Sequence, residues 1–204
     1  MVSGYGLIMG MQEYMPIPWR VARALDNPMR LEMLRVVFYA KGNLSVGDVC
    51  AAIGEKESVT SQYLRILNSQ GFIAAVRRGK NVFYERRRDG AGAFVRFVDA
   101  LESQFARPNW KACVLAVLPA FSNARKIAVH STLAKEGELP VETLAARTTM
   151  PVKTCYRIVR ELEELGFVKW NDAAATVSAM LPKDVFGKAY MAYANALLMD
   201  EEVS

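Results

Sequence analysis

The sequence predicts a mainly α-helical chain with small β-hairpins, built as two similar units in tandem. Three observations predict this. Ser58 to Ile73 (SVTSQYLRILNSQGFI) carries helical periodicity with two unlike faces. Phe72–Arg78 and Val82–Arg87 are β-prone runs on either side of Gly79-Lys80-Asn81, the pattern of a hairpin. Gly71-Phe72-Ile73 then recurs as Gly166-Phe167-Val168, 95 residues further on, with much of the preceding sequence in the same register.

Size and composition agree with two compact units. The chain has 204 residues and is 52% hydrophobic, which supplies real cores and excludes wholesale disorder. No apolar run is long enough to span a membrane. The first eighteen residues lack a basic segment and a small-residue cleavage site, so they read poorly as a signal peptide. Residues 1–15 are expected to be a loose tail or an extra packed arm. Cys50, Cys113 and Cys155 are odd in number and far apart, which suits a reducing cytoplasm rather than a disulfide framework. The net charge of +5 fits a polyanionic partner.

The first unit, residues 16–107, reads in order. Pro18 to Asp26 is a short helix with Val21, Ala22, Ala24 and Leu25 inward, broken at Asn27-Pro28. Met29 to Tyr39 is a second helix, with Leu31, Leu34 and Phe38 on one face and Met33 and Val37 beside them. Lys41-Gly42-Asn43 is a turn. Ser45-x-x-Asp48 is a capping box that starts a third helix with Val46, Val49, Cys50 and Ile53 inward. In the fourth helix Thr60, Tyr63, Leu64 and Leu67 form the inner stripe, and Ser58, Ser61, Gln62 and Arg65 the outer one. Gly71 ends this helix as a left-handed cap. After the hairpin, Phe94 to Phe105 is a further helix with Phe94, Val95, Val98, Leu101 and Phe105 on one side. Helices followed by a hairpin, with a polar outer face on the last helix before it, is the order of a winged helix-turn-helix.

The second unit, residues 108–204, follows at the offset of 95. Without a gap, Arg30 meets Arg125, Gly42 meets Gly137, Leu44 meets Leu139, Val46 meets Val141, Arg65 meets Arg160 and Leu67 meets Leu162. Lys153, Tyr156, Arg157 and Arg160 take the places of Ser58, Ser61, Gln62 and Arg65. Trp110–Phe121 and Asp184–Met199 supply the outer helices, and the boundary falls near Arg107-Pro108-Asn109. Two winged helix-turn-helix domains in tandem are therefore expected.

The first unit resembles the ArsR-type winged-helix repressors. Ala24–Val37, Leu44–Gly54, Ser58–Ile73 and Arg77–Arg87 carry the resemblance. In the second unit, Met150–Val168 also looks like the reading helix of IclR-type regulators. The family forms homodimers through its first and last helices. Here both helices occur twice, so the resemblance implies a monomer acting as a covalent pseudo-dimer, open to further dimerisation. Its two reading helices would lie about one DNA turn apart. The family's metal sites do not carry over: Cys50 stands alone, His130 is the single histidine, and neither outer helix has a ligand cluster. No metal or cofactor is expected. His130 reads as a surface or boundary residue, and Cys50 and Cys155 as small core residues.

The expected partner is double-stranded DNA. Ser58, Ser61 and Arg65, with Arg77, Arg78 and Lys80 of the wing, would contact phosphates, and Gln62 would read adenine. In the second unit Lys153, Tyr156, Arg157 and Arg160 would do so, with Arg157 reading guanine. Residues 16–107 hold 15 Lys+Arg against 9 Asp+Glu, whereas residues 108–204 hold 11 of each, so the first unit should dominate affinity. The rival reading is a winged-helix interaction module, with Arg87, Arg88 and exposed aromatics of the last helix meeting a protein. An enzyme is not expected, because no Gly-rich nucleotide loop, triad or catalytic domain is present. An apolar pocket lined by Trp110, Tyr190, Met191 and Tyr193 competes with a closed core at the same place.

Overall fold

The computed structural model describes residues 16–88 and 92–200. The expected N-terminal tail, residues 1–15, lies outside them. Two short helices open the first half: α1, Pro18–Leu25, and α2, Pro28–Tyr39. Asn27 separates them because its side chain accepts the Arg30 backbone N–H and Pro28 fills the first helical position, where an N–H is dispensable. Strand β1 (Leu44–Ser45) leads into α3 (Val46–Ile53), started by the expected Ser45–Asp48 capping box. Helix α4 (Glu57–Ser69) ends in a Schellman motif: the Gly71 N–H donates to Asn68 O and the Phe72 N–H to Leu67 O, with Gly71 at φ +77°. Strands β2 (Ile73–Arg78) and β3 (Asn81–Arg86) form the hairpin around Gly79-Lys80, and β1 pairs with β3 to give the order β1-β3-β2. Helix α5 (Gly92–Phe105) closes the half.

The second half repeats this order. It runs α6 (Trp110–Val117), a 3₁₀ turn (Leu118–Phe121), α7 (Ala124–Glu136), β4 (Leu139–Pro140), α8 (Val141–Arg147), α9 (Val152–Glu164), β5 (Val168–Asn171), β6 (Thr176–Ala179) and α10 (Val185–Asp200), with sheet order β4-β6-β5. Helix α9 ends as α4 does: the Gly166 N–H donates to Glu163 O and the Phe167 N–H to Leu162 O. The offset is 95 from the starts of β1 and β4 to those of β2 and β5. It is not ungapped throughout. Asn27 and Asn123, 96 apart, cap α2 and α7, and the counterpart of Arg30 is Lys126 rather than Arg125. Arg30 donates to Ala24 O and Arg23 O, and Lys126 to Pro119 O. Beyond the second hairpin, which is two residues shorter, the offset falls to 93. Gly42 and Gly137 also differ: Gly137 caps α7 at φ +88°, while α2 is already capped at Ala40.

One apolar core joins the two halves. Helix α5 packs along α10; α1 packs on the 3₁₀ turn and α7, and α6 packs on α2 and α5. The centre is Phe97, absent from the face expected of α5. It is fully buried, stacked on Tyr193 at 5.4 Å and edge-on to Tyr190 at 5.0 Å. Phe94 and Val95, expected inward, are only partly buried. Phe186, Tyr190 and Tyr193 are fully buried, so the exposed last-helix aromatics of the interaction reading are not found. The Tyr190 and Tyr193 hydroxyls donate to the carbonyls of Pro18 and Pro16. Rings fill the place considered for an apolar pocket, and Trp110 packs instead against Phe105.

Two further residues differ from expectation. His130 is 1% exposed, set against Phe121 and Phe167, with Nε2 3.3 Å from Met180 O; β6 folds back over α7 and covers it. Cys50 is half-buried rather than core, whereas Cys155 is buried. Among the described residues no single helix is long and apolar enough to cross a membrane.

Candidate nucleic-acid interface

Helix α4 is anchored by its inner row. Thr60, Leu64 and Leu67 are buried, and Tyr63 lies under the Arg30 guanidinium, 5.2 Å from its centre. The same 3.6-residue period turns Ser58, Gln62 and Arg65 outward into solvent, with Ser61 half-buried on the flank. The hairpin adds Arg77, Arg78 and Lys80, all exposed. Lys80 sits at the tip beside Gly79, whose φ of +63° suits the first position of a two-residue loop. Arg77 and Arg78 are successive strand residues and point to opposite faces. Arg78 lies over Phe83 at 5.7 Å, so the two arginines do not converge. Among the described residues Arg65, Arg77, Arg78 and Lys80 have no carboxylate within ion-pair distance. The hairpin base is held by Arg86, which bonds Asp99 and Glu102 of α5.

The corresponding row of α9 is exposed throughout, Tyr156 included, and has different company. Arg157 pairs with Glu161 at 2.7 Å, one turn along. Arg160 pairs with Glu163 at 2.8 Å and lies over Trp170 at 5.0 Å. The Tyr156 hydroxyl donates to Glu142 at 3.1 Å, which pushes its pKa up, and its ring sits 5.6 Å from Trp170. Lys126 also reaches Glu161, at 3.0 Å, and holds that carboxyl below the ordinary range. Lys153 alone of the four has no such partner among the described residues. The hairpin carries Asp172 and three alanines in its turn. The neutralising pairs are legible in the sequence as Arg-Glu spacings of four and three. The long-range Lys126–Glu161 and Tyr156–Glu142 contacts are not.

The two helix-to-helix turns also differ. Gly54 takes φ +79° after α3, and Thr149, 95 residues later, takes φ +50° after α8. That region is free for glycine and costly for a β-branched residue.

The candidate ligands for a metal ion are His130 and the three cysteines. His130 is enclosed by rings, burial pushes its imidazole and the Cys155 thiol toward their neutral forms, and Cys113 is exposed and distant from both in sequence. Among the described residues no group of three His, Cys, Asp or Glu side chains could hold one.

Helices α2, α3 and α4 followed by a β-hairpin, with a third short strand completing the sheet, define the winged helix-turn-helix class. The chain belongs to the ArsR-type family of regulators. It is 30% identical over 87 residues to the biofilm growth-associated repressor of Agrobacterium fabrum, a match over 43% of this chain and 70% of that protein. It is 41% identical over 61 residues to a transcriptional repressor SmtB homolog of Synechocystis sp., over 30% of this chain and 45% of that protein. This second match spans less than half the length of its relative. No family model matches the chain.

Proposed function

We propose that this protein is a sequence-specific, double-stranded-DNA-binding transcriptional repressor of the cytoplasm, and not an enzyme. It carries two unequal winged-helix units, residues 16–107 and 108–204, in one chain. The observation that carries this reading is the outward row of α4 and the hairpin tip. Ser58, Gln62, Arg65 and Lys80 are each exposed, and their cations are without carboxylate partners among the described residues. Phosphates would be met by Ser58, Ser61, Arg65, Arg77, Arg78 and Lys80, and a base edge by Gln62. Lys153, Tyr156, Arg157 and Arg160 would make the weaker, second set of contacts.

The reciprocal packing of the outer helices supports an intramolecular counterpart of a twofold dimer. Each half's first helix lies on the other half. Phe97 touches Tyr190, its own counterpart at the offset of 93, as residues on a twofold axis do. A tandem duplication accounts for the repeated caps, turns and sheet order. The repressor names of the relatives fit the same reading.

The test is selection of bound genomic DNA by the purified protein and by two variants. Gln62→Ala should relax one position of the bound sequence, worth about 1–3 kcal/mol of discrimination. Arg157→Ala should change it less. Unchanged sequences with both variants would sink the assignment of the reading helices. The rival, a protein-interaction module, draws support from Val152 and Tyr156, both exposed on the neutralised face of α9. A gel shift with genomic fragments separates the two, since that module leaves DNA unshifted.

A further inference from the structure

A shallow, open groove of about 300 Å³ lies beside α4, between its C-terminal half and α1. Ile66 and Gln70 form the α4 wall, in the row that continues from Gln62 at i+4 and i+8. Trp19, Arg20, Arg23 and Arg30 form the other wall, and no carboxylate lines the groove. Arg30 is committed to structure, since it donates to the last carbonyls of α1 and covers Tyr63. Arg20 and Arg23 are exposed, three residues apart on one helix, and among the described residues neither has an acidic partner. Arg20 lies 5.2 Å over Trp19, which holds the guanidinium at the groove.

The second half supplies the comparison. At the offset of 95, Ile66 becomes Glu161, and Lys126 takes the role of Arg30 and pairs with that glutamate. At the offset of 96 that relates α2 to α7, Arg20 and Arg23 become Ala116 and Pro119. A cationic groove on one side is a neutral, bridged contact on the other.

We propose that this groove takes a DNA phosphate flanking the bases met by α4, with Arg20 and Arg23 as its contacts. The inference rests on the DNA-binding reading above. It places α1, which lies between the two halves, on the inner side of the first half-site. The groove adds affinity without sequence choice, since phosphates carry no base identity.

The experiment uses the full chain and a duplex recovered by selection with the wild type. Affinity is measured from about 50 to 200 mM salt for wild type, Arg20→Gln/Arg23→Gln, Gln70→Glu and Arg65→Gln. The double variant should bind about tenfold or more weakly. Its log K against log salt should be shallower by about 1, since one phosphate contact contributes about 0.9. Its preferred sequence should be unchanged. Gln70→Glu, which leaves both arginines in place and puts a carboxylate on the groove wall, should also weaken binding. If Arg65→Gln weakens binding while the other two variants match wild type, the groove assignment is overturned and the DNA reading stands. If wild type binds no duplex, both fall. Calorimetry with inorganic phosphate supplies the remaining arm. Millimolar phosphate binding that the double variant loses, with DNA affinity unchanged, would make the groove a small-anion site and overturn the DNA assignment.

Discussion

Helices α4 and α9 have the same length, end in the same glycine cap and bury the same inner row, yet their outward rows differ in electrical character. In α4 the cations Arg65 and, at the hairpin tip, Lys80 stand without carboxylates among the described residues. In α9 Arg157 and Arg160 are each matched by a glutamate within one turn, and Lys153 alone stands without one among the described residues. A phosphate approaching α9 must displace an existing carboxylate, and such exposed pairs are worth only about 0.2–1 kcal/mol each. The neutralisation is therefore partial. The two helices share a backbone and a cap and differ in the carboxylates that stand beside their outward cations. The shorter second hairpin, with Asp172 in place of basic residues, points the same way.

The largest test asks whether the two halves are separable at all. Phe97→Ala should cost about 3–5 kcal/mol, because removing a fully buried ring between α5 and α10 leaves a cavity. Thermal melting should remain a single transition at lower temperature. Two separate transitions in the wild type would mean that the halves unfold independently, and the comparison would then be between two proteins on one string.

Next comes the electrostatic contrast itself. Arg65→Gln/Lys80→Gln should lower DNA affinity about tenfold or more and make the salt dependence shallower by about 2. Arg157→Gln/Arg160→Gln should change affinity by no more than about threefold, since those cations are already matched. Equal losses from the two pairs, read by fluorescence titration, would remove the asymmetry.

A smaller effect is expected at the paired turns. Thr149→Gly should stabilise the fold by about 1 kcal/mol, and Gly54→Thr should destabilise it by about 1–2, both read by denaturant unfolding. No change in the first variant would show that Thr149 is not strained.

The smallest effect is on pH. Burial disfavours the His130 imidazolium, so its folded pKa lies below the ordinary 6.5. The unfolded chain then takes up the proton first. The contribution is fully present above pH 6.5 and is lost as pH falls from there through the folded value. Glu161, held low by Lys126, loses its contribution only below its ordinary 4.5, so the two windows are distinct. His130→Phe should flatten the stability profile below pH 6.5, measured by melting as the pH is lowered from neutrality.

Much of the fold was legible in the chain because its signals are local. The Ser45–Asp48 box, the Asn27-Pro28 break, the Gly71 cap and the glycine hairpin loop each act within a few residues. The candidate reading row was legible for the same reason: the 3.6-residue period sends Gln62 and Arg65 opposite to Leu64 and Leu67. The glutamate neutralisation in α9 was half legible, since Arg157–Glu161 and Arg160–Glu163 are helical neighbours. The Lys126 bridge and the arginine groove beside α1 were not, because they join residues distant in sequence.

The elements, their caps and the inner and outer faces of the core helices follow from local backbone sterics and periodicity along the chain. Which faces meet is settled by long-range packing. It chose Phe97 as the centre of α5, carried α1 onto the opposite half, and buried His130 beneath β6. Periodicity names an apolar face without naming its partner. Shape and close packing between distant segments make that choice, and in this chain they bring Lys126 of α7 to Glu161 of α9.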